Sequence, residues 1–486
     1  MAICLLLGTA CVLLPYPGIQ VAAGWGAVGI GGGLVVIWLI LLLKKRIPDT
    51  GSVWMLWGIG VCLRLGFILR MDYTDMQHDV WSFKSNGGHA RYILYLFQEE
   101  HLPDFDVRTV WQFYHPPLHH LLCAGWMHVM TAMGLEDIPL YESLQVLPFL
   151  WSSTAVMVFV QILRELGLKD RALLLPTAIM ALHPAFLYLS GALNNDILSI
   201  LLMLTALLFT VKWYKNPTVW NIIPLALAIG FGMMAKLSAW LIAPATATVF
   251  IAVFIKNIKK PLPYLGQYGL FLLVCVPTAL WWEIRNCIRW GVPITYIPML
   301  SNESEQFVGN YPTLDRLFNF SPFQFRYIYD CFTMYGQDYN EFNPLIGLMK
   351  TAVFDEYVNT TNTVHVTGFA EVLFWSQVVL AALVLFSMIR VLVHRGDMKP
   401  AMKIGLLLTY IITLGSYYSF CFTFAHTCTQ SARYATPAIY VSLLFLGFWS
   451  MEMKSKASAI LRWCITGVAC IFTAASAAVY GFMMFV

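Results

Sequence analysis

The chain is built from apolar blocks of about 17 to 23 residues that recur from one end to the other. A helix of that length spans the roughly 30 Å of hydrocarbon in a bilayer. Of the 486 residues, 59% are hydrophobic and 12% are charged, whereas soluble domains carry about 25% charged residues. Because backbone groups in lipid must satisfy their own hydrogen bonds, the sequence predicts an all-α polytopic membrane protein.

Basic residues at the ends of the blocks predict the orientation. Lys44, Lys45 and Arg46 follow the block 23–43 and place that junction in the cytoplasm by the positive-inside rule. The N-terminal apolar stretch has no basic n-region and no cleavage motif, so we expect it to be retained as the first helix, with the N-terminus inside. About 13 crossings result. After that first helix, the predicted spans are 23–43, 52–70, 146–163, 172–190, 196–213, 218–234, 237–255, 263–283, 369–390, 401–422, 432–450 and 463–483.

This topology leaves two long polar regions outside the membrane. The apolar piece 118–133 has no crossing to make, so we expect a juxtamembrane helix on the outer face. An N-terminal transmembrane hairpin is predicted over residues 1–51. A transmembrane core that contains the first external loop (72–145) follows over 52–300. A second external region covers 301–368, and C-terminal transmembrane helices cover 369–486.

Charge and cysteine usage exclude other classes of protein. The net charge of +4 comes from basic residues at helix ends and forms no patch that would indicate nucleic-acid binding. Most of the 11 cysteines fall inside apolar spans, where a lone cysteine is a small hydrophobe. Cys287, Cys331 and Cys428 lie in or near predicted external loops, and a disulfide among them is left open.

The first external region opens with acidic residues just beyond a membrane helix. A carboxylate there stays near water yet lies beside a low-dielectric wall, which suits a general base. For Asp72 and Asp75 we favour interfacial solvation or helix capping, and Asp79 is the candidate base.

Histidines in the segment WQFYHPPLHHLL form a second candidate group. Pro116 and Pro117 fix the first turn of the helix 118–133 and leave His115 beside free backbone amides, a plausible anion site. His115 and His119 also have a spacing that could ligate zinc or manganese, but no third ligand is evident. We therefore expect no required cofactor, and a divalent metal is the open alternative.

Two polar interruptions of the apolar spans are predicted on the same outer face. Asn194, Asn195 and Asp196 begin a span, where they could serve as a helix cap, as a binding site, or as both. Lys236 is a single cation between long apolar runs, and an ionisable residue at such a depth indicates function. A lysine there suits a lipid-borne phosphate, and a snorkelling lysine is the alternative.

Polar residues at two later helix ends complete the candidates. Arg285 and Asn286 follow a span, and Arg433 begins another, where a guanidinium could chelate phosphate or anchor a helix at the interface. For Arg289 we favour the anchor. The second external region adds residues that could line a sugar or acceptor site and that the sequence does not rank, namely Tyr311, Asp330, Asp338, Asp355 and Glu356.

In this order the motifs resemble the GT-C membrane glycosyltransferases, most closely the protein O-mannosyltransferase and aminoarabinose transferase branch. The likeness covers residues 52 to 300 together with 433–437. The motifs that carry it are Gln77-His78-Asp79-Val80, His115-Pro116-Pro117-Leu118, Asn195-Asp196, Lys236, Arg285-Asn286 and Arg433-Tyr434.

The resemblance implies a GT-C fold and a role for each matched residue. Asp79 would be the catalytic base, with Val80 where the family carries a second acid. His115 would lie near the carrier phosphate and the acceptor, Lys236 would bind the phosphate, and Arg433 would match the arginine of the family's late Arg-Tyr-x-x-Pro motif.

We therefore predict an enzyme that moves a monosaccharide from an undecaprenyl- or dolichyl-phosphate carrier to an extracytoplasmic acceptor, with inversion. The acceptor is a lipid, a glycan or a protein. The expected phosphate ligands are Lys236, Arg285, Arg433 and His115. The expected contacts to the sugar or acceptor are His78, Asn195, Asp196, Asn286 and Tyr434.

Two other functions share parts of this pattern. A transporter or flippase of a lipid-linked sugar would place polar residues near mid-membrane and break helices in matching halves, and neither feature is evident. A ligase or polymerase of lipid-linked glycans would have the same topology. Short loops favour a bacterial plasma membrane, with the site facing outside.

Overall fold

The computed structural model describes residues 1–75, 79–325, 341–355, 367–452 and 456–483. Within these ranges the chain is helical, and its β contacts are limited to one bridge between Phe307 and His426. The predicted all-α fold is confirmed. The helices are α1 (Ala2–Val12), α2 (Gly18–Leu43), α3 (Asp49–Ile68), α4 (Gly88–Glu99), α5 (Leu118–Ala132), α6 (Asp137–Ser143), α7 (Val146–Glu165), α8 (Leu174–Leu182), α9 (Pro184–Tyr188), α10 (Asp196–Lys215), α11 (Val219–Ala235), α12 (Ala243–Lys256), α13 (Leu262–Trp290), α14 (Thr313–Phe318), α15 (Pro344–Phe354), α16 (Thr367–Val393), α17 (Pro400–Thr423), α18 (Thr436–Glu452) and α19 (Lys456–Phe482).

The described part of the chain holds 10 helical segments that are long and apolar enough to cross a membrane. They coincide with ten of the predicted spans, and the chain is an integral membrane protein. The other three predicted spans fall on α1, on α11 and on the pair α8 and α9, which are shorter. The total of about 13 crossings therefore stays a prediction, as does the side that each end faces.

A proline and two side-chain hydrogen bonds set the end of α8 and the start of α10. α8 stops at His183 because Pro184 lacks the N–H that would continue it, and His183 Nδ1 accepts a hydrogen bond from the Ala185 amide at 3.2 Å. α10 begins after Asn194, whose side-chain oxygen accepts from the Asp196 amide at 3.1 Å. Each break leaves polar groups between apolar helices.

α10 and α11 form an antiparallel hairpin. The start of α10 therefore lies at the same end of the molecule as the close of α11, where Lys236 adopts an extended conformation before a 3-10 turn over Leu237–Ile242. This topology brings Asp196 beside Lys236 although 40 residues separate them in sequence.

α11 packs between α10 and α13, and Gly230 permits its close approach to α13. A Cβ at this position would lie 2.7 Å from Cβ of Thr278, closer than side-chain atoms normally approach. The absence of a side chain at residue 230 therefore sets the spacing between α11, which Lys236 follows, and α13.

We predict that Gly230→Leu destabilises the protein by about 1–3 kcal/mol, because the new side chain overpacks the contact between α11 and α13. The measurement is thermal unfolding in detergent, followed by tryptophan fluorescence. Gly266→Leu is the matched control, since Gly266 lies on α13 with no atom within 4 Å of an added Cβ. Equal melting temperatures for the two variants would contradict this packing argument.

Candidate active site

A buried cluster of three charges joins distant parts of the chain. Asp196 Oδ1 pairs with the Lys236 ammonium, and Asp196 Oδ2 accepts a hydrogen bond from Arg433 Nη1 at 3.0 Å. Asp196 is 2% exposed and Arg433 is 5% exposed. Because ions so far from water need a partner, the carboxylate fixes the positions of both cations.

Neighbouring groups hold this cluster in place. Asn195 Nδ2 donates to the carbonyl of Ala235 at 2.9 Å, which ties the start of α10 to the residue before Lys236. Ser431 Oγ accepts from Arg433 Nε at 3.2 Å. The Lys236 ammonium also lies 5.0 Å from the ring centre of Tyr434, within the range of a cation–π contact.

Asp79 lies at the edge of the same cluster. Its Oδ2 is 3.9 Å from Arg433 Nη2, and its side chain is 25% exposed, so the carboxylate faces both a cation and open space. Its backbone is held by α4, where the amides of His89 and Ala90 donate to the carbonyls of Asp79 and Val80 at 3.0 Å each.

Gly88 allows the start of α4 to come close enough to the loop of Asp79 to form these two hydrogen bonds. It has a φ of +90°, and a Cβ there would lie 2.5 Å from the carbonyl oxygen of Val80. A glycine that the sequence alone does not single out therefore positions the candidate base.

Asp79, Lys236 and Arg433 line one cavity of about 270 Å³. The side chains around it come from the first polar region, from the α10–α11 hairpin and the turn after it, from the end of α13 and its following loop, from α17, and from the segment before α18. Its polar and aromatic lining includes Asp79, His89, Tyr114, His115, Asn195, Lys236, Glu283, Tyr296, Tyr417, Arg433 and Tyr434.

Two histidines beside the cavity are held neutral. Burial, together with the nearby Lys236 charge, lowers the pKa of His115 to about 3. Burial and the neighbouring histidines lower the pKa of His89 well below its ordinary value. His89 Nδ1 lies 2.9 Å from His120 Nε2, so these two rings share a hydrogen bond. A neutral imidazole carries one N–H, and His115 can therefore donate a hydrogen bond without adding charge.

The histidines do not form a metal centre in the described residues. His119 Nε2 lies 3.1 Å from the carbonyl oxygen of Leu193, so this nitrogen is engaged by the backbone. Among the described residues, no group of three or more His, Cys, Asp or Glu side chains is placed to hold a metal ion. The described residues therefore provide no ligand set for the divalent metal that the sequence left open, and that alternative stays untested.

Most of the predicted site residues meet at the cavity. Asp79, His115, Asn195, Lys236 and Tyr434 line it together with Arg433. Asp196 was expected to contact the sugar or acceptor, and that contact stays a prediction. Its two carboxylate oxygens bind Lys236 and Arg433, so it acts as their counter-ion.

Arg285 was expected to bind the carrier phosphate, and that role stays a prediction. Its guanidinium donates to the carbonyl of Pro103 and to Asn286 Oδ1, and it is not among the cavity-lining residues. The reason is helical geometry: two residues after Glu283, its side chain points to the other side of α13. Asn286 lies one turn beyond Glu283 and is buried.

Two further predictions concern His78 and the cysteines of the predicted external loops. His78 lies outside the described residues, as does Cys331. Cys287 has a free thiol, so no disulfide joins it to Cys428, and a pairing that involves Cys331 stays a prediction.

The cavity also contains residues to which the sequence gave no role. His89 has no motif that would identify it, because its position depends on how α4 folds back on the loop 79–87. Glu283 was visible as an acid in a long apolar span, a signal of function in a membrane protein. The rings of Tyr114 and Tyr296 are in edge-to-face contact at a centroid distance of 5.8 Å. This contact joins segments that are far apart in sequence.

Fold and site together define a polytopic membrane protein with a charged cavity among its helix ends, and comparison with known proteins gives the class. The model of the dolichyl-phosphate-mannose-protein mannosyltransferase family matches residues 115–281, less than half of the chain. A search of curated proteins finds no match. The family match confirms the predicted resemblance to GT-C membrane glycosyltransferases.

Solved structures give weak similarities over most of this chain. The archaeal oligosaccharyltransferase AglB from Archaeoglobus fulgidus, in complex with an inhibitory peptide and a dolichol-phosphate, has a TM-score of 0.49 and 13% identity, covering 89% of this chain and 56% of that one. ArnT from Cupriavidus metallidurans, bound to undecaprenyl phosphate, has a TM-score of 0.39 and 13% identity, covering 83% and 78%. The chain thus spans little more than half the length of the archaeal enzyme.

We predict that Asp196→Asn destabilises the protein by about 3–5 kcal/mol, because two buried cations lose their counter-ion. Thermal unfolding in detergent measures this. Asp49→Asn is the control, since Asp49 also begins a membrane helix but makes no ion pair with another described residue. The double variant Asp196→Asn/Lys236→Met should recover part of the loss, since it removes one of the unpaired charges. Equal stability of Asp196→Asn and Asp49→Asn would refute the pairing.

Proposed function

We propose that the protein transfers a monosaccharide from a polyprenyl-phosphate carrier to an acceptor on the extracytoplasmic side of the membrane. The observation that carries this proposal is the meeting of two cations, the buried Arg433 and the largely buried Lys236, with the carboxylate of Asp79 at one cavity. Cations suit the phosphate of the donor, and the carboxylate suits the proton of the acceptor.

The phosphate is bound by Lys236 and Arg433. An ammonium has three N–H donors, and Asp196 takes one of those of Lys236, so the ammonium keeps donors for phosphate oxygens. The Arg433 guanidinium borders the same cavity and adds its positive charge. Asp196 and Asp79 balance the two cations before the donor arrives. As the sugar leaves, negative charge grows on the phosphate, and the two cations, already in position, stabilise it more than they stabilise the bound donor.

Asp79 acts as the base. It takes the proton from an acceptor hydroxyl or amine, whose oxygen or nitrogen then forms a bond to the anomeric carbon. The bond from that carbon to the phosphate oxygen breaks, and the phosphate keeps the electron pair. Attack from the face opposite the phosphate inverts the anomeric configuration. The nearby Arg433, whose Nη2 lies 3.9 Å from Asp79 Oδ2, orients the carboxylate.

His115 contributes a neutral donor at the N-terminus of α5, where free backbone amides also favour an anion. Its ring N–H can donate to the phosphate without repelling Lys236. The family match supports these roles, because residues 115–281 include His115 and Lys236. The basic residues that follow α2 favour an extracytoplasmic cavity by the positive-inside rule.

We predict that Asp79→Asn lowers kcat by about 100- to 10,000-fold, the range for loss of a general base. Binding of sugar-free polyprenyl phosphate should persist, because Lys236 and Arg433 remain. The assay uses purified protein with a synthetic polyprenyl-phosphate sugar and an acceptor extract. Asp104→Asn, an exposed acid of the same polar region, is the control and should keep full turnover. Undiminished turnover by Asp79→Asn would remove it from the role of base.

A further inference from the structure

A second carboxyl group lines the cavity, and the proposed chemistry gives it no task. Glu283 is 6% exposed and borders the same space as Asp79 and Lys236. Among the described residues it makes no ion pair and no hydrogen bond through its side chain. A buried carboxyl group without partners is costly, and its position on a cavity wall indicates that a ligand supplies the missing hydrogen bonds.

Asn286 lies on the same face of α13 as Glu283 but, unlike Glu283, is not among the residues that line the cavity. It lies one turn after Glu283, it is 1% exposed, and its Nδ2 has no partner among the described residues. Arg285 Nη1 donates to Asn286 Oδ1 at 2.9 Å, which fixes the amide and leaves the NH₂ group available. Arg285 is thus a positioning residue for this amide.

The wall around Glu283 is tied to the proposed phosphate ligands. Trp282 Nε1 donates to the carbonyl of Tyr114 at 3.2 Å, which holds α13 beside the residue that precedes His115. α13 also packs along α11, and Lys236 directly follows α11. A group joined directly to a phosphate at Lys236 therefore lies next to this wall.

Aromatic rings complete the lining. Tyr114 and Tyr296 form an edge-to-face pair, and both border the cavity. Carboxylate and amide groups form hydrogen bonds to hydroxyls, while tyrosine rings present an apolar face with a polar tip. This combination matches a hydroxylated sugar ring.

We propose that Glu283, with the amide of Asn286 beside it, forms the subsite for the hydroxyl groups of the donor sugar and selects which sugar is transferred. This inference rests on the proposed function. It assigns recognition of the carrier phosphate to Lys236 and Arg433 and recognition of the sugar to the last turns of α13.

The test is the kinetics of Glu283→Gln with a panel of polyprenyl-phosphate sugars and their monodeoxy analogues. The variant should lower kcat/KM for the best donor by about 10- to 100-fold, the effect of losing a hydrogen bond to a carboxylate. One monodeoxy donor should be used equally well by the variant and the wild type, since the hydroxyl that Glu283 binds is already missing. Glu303→Gln, an exposed glutamate, is the control and should match the wild type.

A second measurement separates this inference from the proposed function. The Kd for sugar-free polyprenyl phosphate should be unchanged in Glu283→Gln and weakened in Lys236→Met. Wild-type kinetics in Glu283→Gln, a change confined to KM of the acceptor, or a loss that persists with every deoxy donor would overturn the sugar subsite alone. A wild-type protein that neither binds polyprenyl phosphate nor transfers any sugar of the panel would overturn the proposed function itself.

Discussion

The structure depends on one carboxylate that two cations share. Asp196 is buried at the start of α10, and its oxygens hold Lys236 from the end of α11 and Arg433 from the segment before α18. Removing any of the three leaves a buried charge without its full set of partners, which is far more costly than losing an exposed ion pair. Packing of the apolar helices can tolerate variation, whereas this cluster fixes how the middle of the chain meets its C-terminal part.

The rest of the site follows from where helices stop. Each polar group lies at a helix end or in a short break, because backbone and side-chain polarity inside a membrane is tolerated where it lines a cavity. The hairpin of α10 and α11 presents Asp196 and Lys236 at one end, and α4 holds the loop of Asp79 against Arg433. The cations are thereby positioned before any ligand binds, so little reorganisation is needed when charge develops on a phosphate.

Sequence reasoning predicted the helices well, since blocks of apolar residues and their basic ends are local signals. It also identified Asp79, His115, Lys236 and Arg433, because each interrupts or borders an apolar block. It predicted a ligand contact for Asp196, because the sequence does not show that Asp196 pairs with Lys236, 40 positions away, and with Arg433, 237 positions away. It assigned Arg285 to the phosphate, since the direction of a side chain around α13 is set by packing. His89 and Gly88 were missed because their role depends on the fold of a loop.

A structure of the protein with bound polyprenyl phosphate tests the central claim most directly. The account predicts the phosphate in the cavity, with its oxygens about 3 Å from both the Lys236 ammonium and the Arg433 guanidinium, and with Asp196 still bridging the two cations. A phosphate bound outside this cavity, for example beside Arg285, with the Asp196 cluster unoccupied, would contradict it.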